Sequence, residues 1–146
     1  MKDKITFLRL GPDDLQLLLA VPEGLFDNPI DKTQATAFLA DPLHEIVLAF
    51  DAELAVGMAS GTVLLHPDKA PAMFVNEVEV RESHQRRGIG TAVTRELFAI
   101  ARGRGCKGIW LGTEADNAPA LALYRKLKGD ELQGHFFGWD GALNIH

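Results

Sequence analysis

The fold turns on residues 73–102, which run MFVNEVEV, then RESHQRRGIG, then TAVTRELFAIAR. Met73–Val80 reads as a strand of mixed character, with Glu77 and Glu79 two positions apart and therefore on one face. From about Gly90 to Arg102 the residues Val93, Leu97, Ile100 and Ala101 recur at helical spacing. Between them lies a basic loop, Gln85-Arg86-Arg87-Gly88-Ile89-Gly90. A strand, a glycine turn and a helix build an anion site. The first N–H groups of a helix have no internal partner, and the helix dipole adds about half a positive charge there. Gly88 and Gly90 remove the Cβ atoms that would hold a phosphate away, while Arg86 and Arg87 attract a polyanion such as a pyrophosphate. Taken alone, the same residues also describe an ordinary helix start with solvated arginines.

Upstream, residues 5–10 read as a first strand stopped by Gly11-Pro12, and Asp13 or Asp14 can cap a short helix through Leu15, Leu18 and Leu19. A loop follows from Glu23 to Pro29. Asp31–Ala40 is a second predicted helix, with Ala35, Phe38 and Leu39 inward and Asp41-Pro42 ending it. The apolar runs 45–50 and 54–65 form a predicted hairpin, and Gly57 and Gly61 suggest a bulge or a close backbone approach. Downstream come a short strand at 107–111, a helix over Asn117–Lys128, and one or two last strands within Glu131–Trp139. This order predicts an α/β fold with a mixed sheet, because only part of the chain has parallel crossover units. With neither repeat nor linker visible, residues 1–146 read as a single domain.

A Walker loop needs Gly-x4-Gly-Lys-Ser/Thr, which the sequence lacks. A dinucleotide fingerprint needs Gly-x-Gly-x-x-Gly, but Thr91-Ala92-Val93 follows Gly88-Ile89-Gly90. Gln85-Arg86-Arg87-Gly88-Ile89-Gly90 instead fits Gln/Arg-x-x-Gly-x-Gly/Ala, and so resembles the acetyl-CoA motif of the GNAT (Gcn5-related N-acetyltransferase) superfamily. Glu77-Val78-Glu79-Val80 stands where that family has its central strand, and Asn117-x-x-Ala120-x-x-x-Tyr124 resembles its second motif. The resemblance covers nearly the whole chain and implies a mostly antiparallel central sheet, flanked by helices, with a splayed central strand. In pattern the chain is similar to the aminoglycoside 3-N-acetyltransferase-like branch, through residues 38–42, 66–69 and 110–117. It departs from the family's Leu-Tyr-x-x-x-Gly pattern at Lys128, which stands where the glycine falls.

The resemblance implies acetyl-CoA as co-substrate, held by Val78, Val80, Gln85, Arg86, Arg87, Gly88, Ile89, Gly90, Thr91, Asn117 and Tyr124. The Val78 and Val80 backbone would hold the pantetheine arm, and Tyr124 would protonate the departing thiolate. A phenol with a pKa of about 10 stays protonated at neutral pH and can do this. Tyr124 on an amphipathic helix also reads as a core residue, and Asn117 as a plain helix cap. The attacking amine must lose a proton. Glu77 is the first candidate acceptor and Glu79 the second, since neighbouring, partly buried carboxylates raise one another's pKa. A solvated or salt-bridged pair, with water as the acceptor, is the other reading. Glu114, Asp116 and Glu77 suggest an acidic patch suited to an aminoglycoside-like or polyamine-like acceptor. A protein N-terminal or lysine acetyltransferase and a non-catalytic CoA-binding module are the rival readings.

Composition narrows the classes further. Fifteen basic and 20 acidic residues give a net charge of −5, which disfavours general nucleic-acid binding. Cys106 is the single cysteine, so no internal disulfide forms, and a buried inert thiol is expected. His44, His66, His84, His135 and His146 show no ligand spacing, so no metal is expected. His84 reads as a surface imidazole, and Trp110 and Trp139 as core or pocket wall. Met1–Ile5 lacks a signal-peptide core and no run nears the roughly 18 apolar residues of a membrane span, so a cytoplasmic protein with no membrane partner is expected. A homodimer is a further expectation, paired through Phe136, Phe137 and Trp139.

Overall fold

Strand β1 (Ile5–Arg9) ends before Gly11-Pro12, where Asp14 Oδ2 accepts the Gly11 N–H at 2.7 Å and starts a short 3-10 turn. That turn leads into α1 (Leu15–Leu19). Helix α2 (Lys32–Ala40) starts where Asp31 Oδ1 accepts the Gln34 N–H at 2.9 Å, as an N-cap should. It stops at Asp41-Pro42, because the residue before a proline is pushed out of the helical region. The predicted hairpin is β2 (His44–Asp51) and β3 (Leu54–Leu64), joined through Ala52 in the left-handed region at φ 52°. Then follow β4 (Ala72–Val80), α3 (Ile89–Gly103) and β5 (Gly108–Trp110). The computed structural model describes residues 4–139, so the readings of Met1 to Asp3 and of His146 lie outside the described residues.

The sheet order is β1-β2-β3-β4-β5, antiparallel throughout except for the parallel pair β4·β5. Each face buries its own core. On one side Val47, Ala49, Ala59, Val63, Met73 and Val75 meet Ile89, Val93, Leu97 and Ala101 of α3. On the other, Ile46, Leu48, Ala55 and Met58 meet Leu18 of α1, Leu25, and Ala35 and Leu39 of α2. The two glycines of β3 act as close-approach points. A Cβ on Gly61 would lie 2.8 Å from Met73 Sδ, and one on Gly57 would lie 2.9 Å from Ile89 Cγ2.

Residues up to Glu114 form one compact unit and residues from Ala115 a second. In the second, Asn117 Oδ1 accepts the Ala120 N–H at 3.2 Å and opens α4 (Ala118–Lys126), with Pro119 in the first turn. Lys128 sits at φ 62°, the left-handed conformation a glycine would favour, and the Gly129 N–H reaches Tyr124 O at 3.1 Å. The strands expected within Glu131–Trp139 are not formed. A strand needs a ladder partner, and none of the described strands pairs with this segment. Its first residue, Glu131, is instead ion-paired to Arg125, and the Arg125 hydrogen bond holds its carboxyl below the ordinary value.

Candidate functional site

The site is organised by a change of parity within β4. In the register with β3, Val75 faces Gly61 and Glu77 faces Ser60, so Asn76 is an extra residue, a β-bulge. Before the bulge Met73 and Val75 point to the α3 core, and after it Val78 and Val80 do. Glu77 and Glu79 are thereby turned to the opposite face, beside Ser60 and Met58, under α1 and α2. Without the extra residue, odd-numbered positions would continue into the α3 core and carry both carboxylates with them.

A cleft of about 580 Å³ opens on that face. Its floor comes from Ile46, Met58, Ser60, Asn76 and Glu77, and its walls from Phe26 to Asp31 and from Phe38, Asp41 and His44. Four of its residues are acids: Asp27, Asp31, Asp41 and Glu77. Two of those carboxylates also serve the fold. Asp31 caps α2, and Asp41 accepts the Leu43 N–H at 2.7 Å, a bond that holds its pKa below the ordinary value. Ser60 is 5% exposed and lines the floor. Glu79, next along β4, has its pKa raised, first by burial and then by the charges of Asp27 and Glu77. Asp27 is the residue that sequence reasoning missed, for it lies in the loop before α2, some fifty positions from Glu79 in the chain.

The other edge of β4 is open. Pairing with β5 covers only Ala72↔Gly108, Met73↔Ile109 and Phe74↔Trp110. The Arg81 N–H binds Val56 O at 2.7 Å, so odd-numbered backbone groups at this end face β3 and those of Val78 and Val80 face away from it. Among the described residues no strand pairs with that stretch, the splay the sequence implied. Gln85 Nε2 donates to Val80 O at 3.2 Å and draws the following loop against the strand end.

In that loop Arg86 (φ 64°) and Gly88 (φ 79°) are left-handed, with Arg87 between them. Alternation of this kind turns successive N–H groups toward one side and makes an anion-binding hollow. A left-handed arginine is uncommon, and its presence here marks a local conformation fixed by more than propensity. The N–H groups of Ile89, Gly90 and Thr91 precede the first bond of α3, from Ala92 N–H to Gly88 O at 3.0 Å. Ile89, Gly90 and Thr91 have buried side chains or Cα atoms, whereas residues 85–88 are exposed. The loop therefore offers a pyrophosphate backbone donors, a helix N-terminus and two arginines.

Two sequence expectations are corrected here. His84 is not a surface imidazole. It is 9% exposed, with Nε2 at 2.8 Å from Asp51 Oδ2 and Nδ1 at 2.7 Å from Ser83 Oγ, and it ties the start of the loop to the β2–β3 turn. Trp110 is not a core residue, and it does not line the acidic cleft. It is 54% exposed, at the last pair of the short β4·β5 ladder. Cys106 is partly buried against the α3 core. Glu114 closes the first unit and does not line the cleft, while Asp116, Asn117 and Tyr124 belong to the second unit. Among the described residues no group of three His, Cys, Asp or Glu side chains could hold a metal ion, and no helix is long and apolar enough to cross a membrane.

Known proteins bear on this arrangement in three ways. Over 71 residues the chain is 36% identical to streptothricin acetyltransferase of Streptomyces lavendulae; the match covers 49% of this chain and about a third (35%) of that protein. Among solved structures, an aminoglycoside acetyltransferase from an uncultured soil metagenomic sample superposes with a TM-score of 0.79 at 19% identity, covering 92% of this chain and 95% of that one. The aminoglycoside acetyltransferase AAC(6')-Iy, solved with a CoA bisubstrate analogue, gives 0.77 at 15% identity, over 92% and 97% of the two chains. At these identities the structural matches establish the fold. The model of the acetyltransferase (GNAT) family matches residues 15–129, across both units, and the chain belongs to that family.

Proposed function

We propose that this chain transfers the acetyl group of acetyl-CoA to a primary amine of a small, multiply cationic acceptor of the aminoglycoside or streptothricin kind, within a single catalytic domain. The observation that carries the reading is Glu79. This carboxylate, with a raised proton affinity, stands at the junction of an acidic cleft and an open strand edge that runs into an anion-binding loop. The similarity to streptothricin acetyltransferase supports an acceptor rich in amines.

The residues of the loop fit a CoA pyrophosphate: exposed backbone at 85–88, left-handed Arg86 and Gly88, and the N–H groups of Ile89, Gly90 and Thr91. The outward backbone of Val78 and Val80 suits the amide groups of the pantetheine arm, as a short added strand would. Acetyl-CoA supplies the activated acyl group. An ammonium ion drawn into the cleft by Asp27 and Glu77 must become a free amine before its nitrogen attacks the thioester carbon. Glu79 takes that proton, because its raised pKa brings it nearer to an amine than an ordinary glutamate is. The Val78 N–H stabilises the carbonyl oxygen as it gains charge, Tyr124 gives its proton to the thiolate as the C–S bond breaks, and the second proton of the attacking nitrogen, released as the amide forms, passes through water to the Tyr124 phenolate. Asn117 caps α4 and so sets the helix that carries Tyr124.

Thiol release from acetyl-CoA tests the reading, with streptothricin, kanamycin, spermidine and a lysine-containing peptide as acceptors. Turnover of the first two, with acetylated product by mass, supports it. Turnover of the peptide alone, or tight CoA binding without turnover on any acceptor, rejects it.

A further inference from the structure

Arg81 follows β4, with its N–H on Val56 O, and its side chain reaches the connection between α1 and α2. Arg81 Nε donates to Ala55 O at 3.1 Å, Nη2 to Pro22 O at 3.1 Å and Nη1 to Glu23 O at 2.5 Å. One guanidinium thus joins the start of β3 to two successive carbonyls in the connection between α1 and α2. The chain is shaped to receive it. Gly24 follows at φ +102°, and a Cβ there would come within 2.8 Å of Arg81 Nη1. Leu25, 3% exposed, then enters the core, and Phe26 to Asp31 form a wall of the cleft. That wall has no strand or helix of its own to hold it. Leu25 anchors it from within and Arg81 from the sheet.

We propose that Arg81 is a positioning residue for the acceptor: by stapling Pro22 and Glu23 to the ends of β3 and β4, it fixes Asp27 and its wall of the cleft relative to Glu79. The inference rests on the reading of the cleft as the amine site. Arg81 touches no reacting atom. Its planar fork reaches separate carbonyls at once, which a lysine ammonium on a flexible stem does not reproduce. The same strand end holds the cofactor loop through Val80 O and Gln85, so acceptor wall and cofactor loop are referenced to one piece of backbone.

The test uses the full chain as wild type, Arg81→Lys and Arg81→Ala. In hydrogen–deuterium exchange, both variants should exchange faster over residues 21–31 and unchanged over the β2–β3 hairpin. In kinetics with kanamycin, the amine KM should rise about tenfold or more, with acetyl-CoA KM held within about twofold. The pH profile adds a sign. Releasing Asp27 from Glu79 moves the acid limb of kcat/KM to lower pH, whereas mere loss of a positive charge moves it to higher pH. Unchanged exchange over 21–31 overturns the proposal, as does an equal rise of both KM values or an acid limb that moves up. A wild-type chain that acetylates no amine sinks the acetyltransferase reading, and the exchange result still decides whether Arg81 holds the loop. If Arg81→Ala fails to fold, Arg81→Lys carries the same comparison.

Discussion

Replacing Glu79 with glutamine should lower activity and raise stability together. The substitution keeps shape and hydrogen-bonding capacity and removes only the proton acceptor. A positioned general base contributes about 10²- to 10⁴-fold, or roughly 3–5 kcal/mol of barrier. The lower end is expected here, because Glu77 lies two residues along the same strand face, roughly 7 Å away, and can take the proton through a water. Glu77→Gln/Glu79→Gln should then reach the upper end. The stability effect follows from linkage. Glu79 is raised above its ordinary 4.5, by burial first and then by Asp27 and Glu77, so its ionisation opposes folding. That penalty is absent below the unfolded-state pKa, grows as pH rises toward the folded-state pKa, and stays in force above it. Glu79→Gln should therefore melt higher than wild type at pH 7 to 8 and no higher near pH 4. The assays are thiol release at saturating acetyl-CoA from pH 5 to 9 and thermal melts at both pH values. A variant with a wild-type rate across that range, retaining the acid limb, would refute the assignment of Glu79 as base.

Four further outcomes follow from single side chains. Asp27→Asn removes one of the like charges facing Glu79 but not its burial, so the acid limb of kcat/KM should shift part of the way to lower pH. Gly57→Ala places a methyl 2.9 Å from Ile89 Cγ2 and 3.4 Å from Ala49 Cβ. It should cost about 1–3 kcal/mol in a thermal melt and raise acetyl-CoA KM by displacing the first residue of α3. Tyr124→Phe should cut kcat by about 10²-fold with little change in either KM, and an acyl donor whose thiol is a better leaving group should restore much of the loss. Lys128→Gly relieves a left-handed lysine and should stabilise the chain by about 0.5–1 kcal/mol, read as a higher Tm.

Local signals made most of the fold legible. Helix α2 was bounded by Asp31 and Asp41-Pro42, the hairpin by its apolar runs, and α3 by the spacing of Val93, Leu97 and Ala101, all of which recur in the structure. What the sequence hid was long-range. Asp27 sits in a loop that reads as generic, and only the fold brings its charge to Glu79. His84, bordering the basic loop, read as a surface imidazole, yet its ring is buried and meets Asp51, thirty-three positions away. The Asn76 bulge did leave a trace. Apolar residues stand at 73 and 75, then at 78 and 80, a skip that strict alternation does not allow. The segment 131–139 misled for the opposite reason, since its alternation is real but no described strand offers it a ladder.

That single inserted residue links the two halves of the site. A regular β4 would bury Glu77 and Glu79 against α3, where two carboxylates would face Val93 and Leu97 without partners, at a cost of several kcal/mol. The bulge turns them to the face of the acidic cleft, which Glu77 lines, and packs Val78 and Val80 against the core. It also shifts which backbone groups face β3, so that the N–H and C=O of Val78 and Val80 point to the edge that β5 leaves open after Phe74. Asn76 itself stays beside the ladder, exchanging hydrogen bonds with Thr62 at 3.0 and 3.2 Å. Side chains on one face and backbone on one edge are thus set by the same parity. A strand built this way brings an acidic cleft and a bare peptide edge within a residue of each other, the juxtaposition that the proposed acyl transfer from a bound thioester to a cationic amine would use.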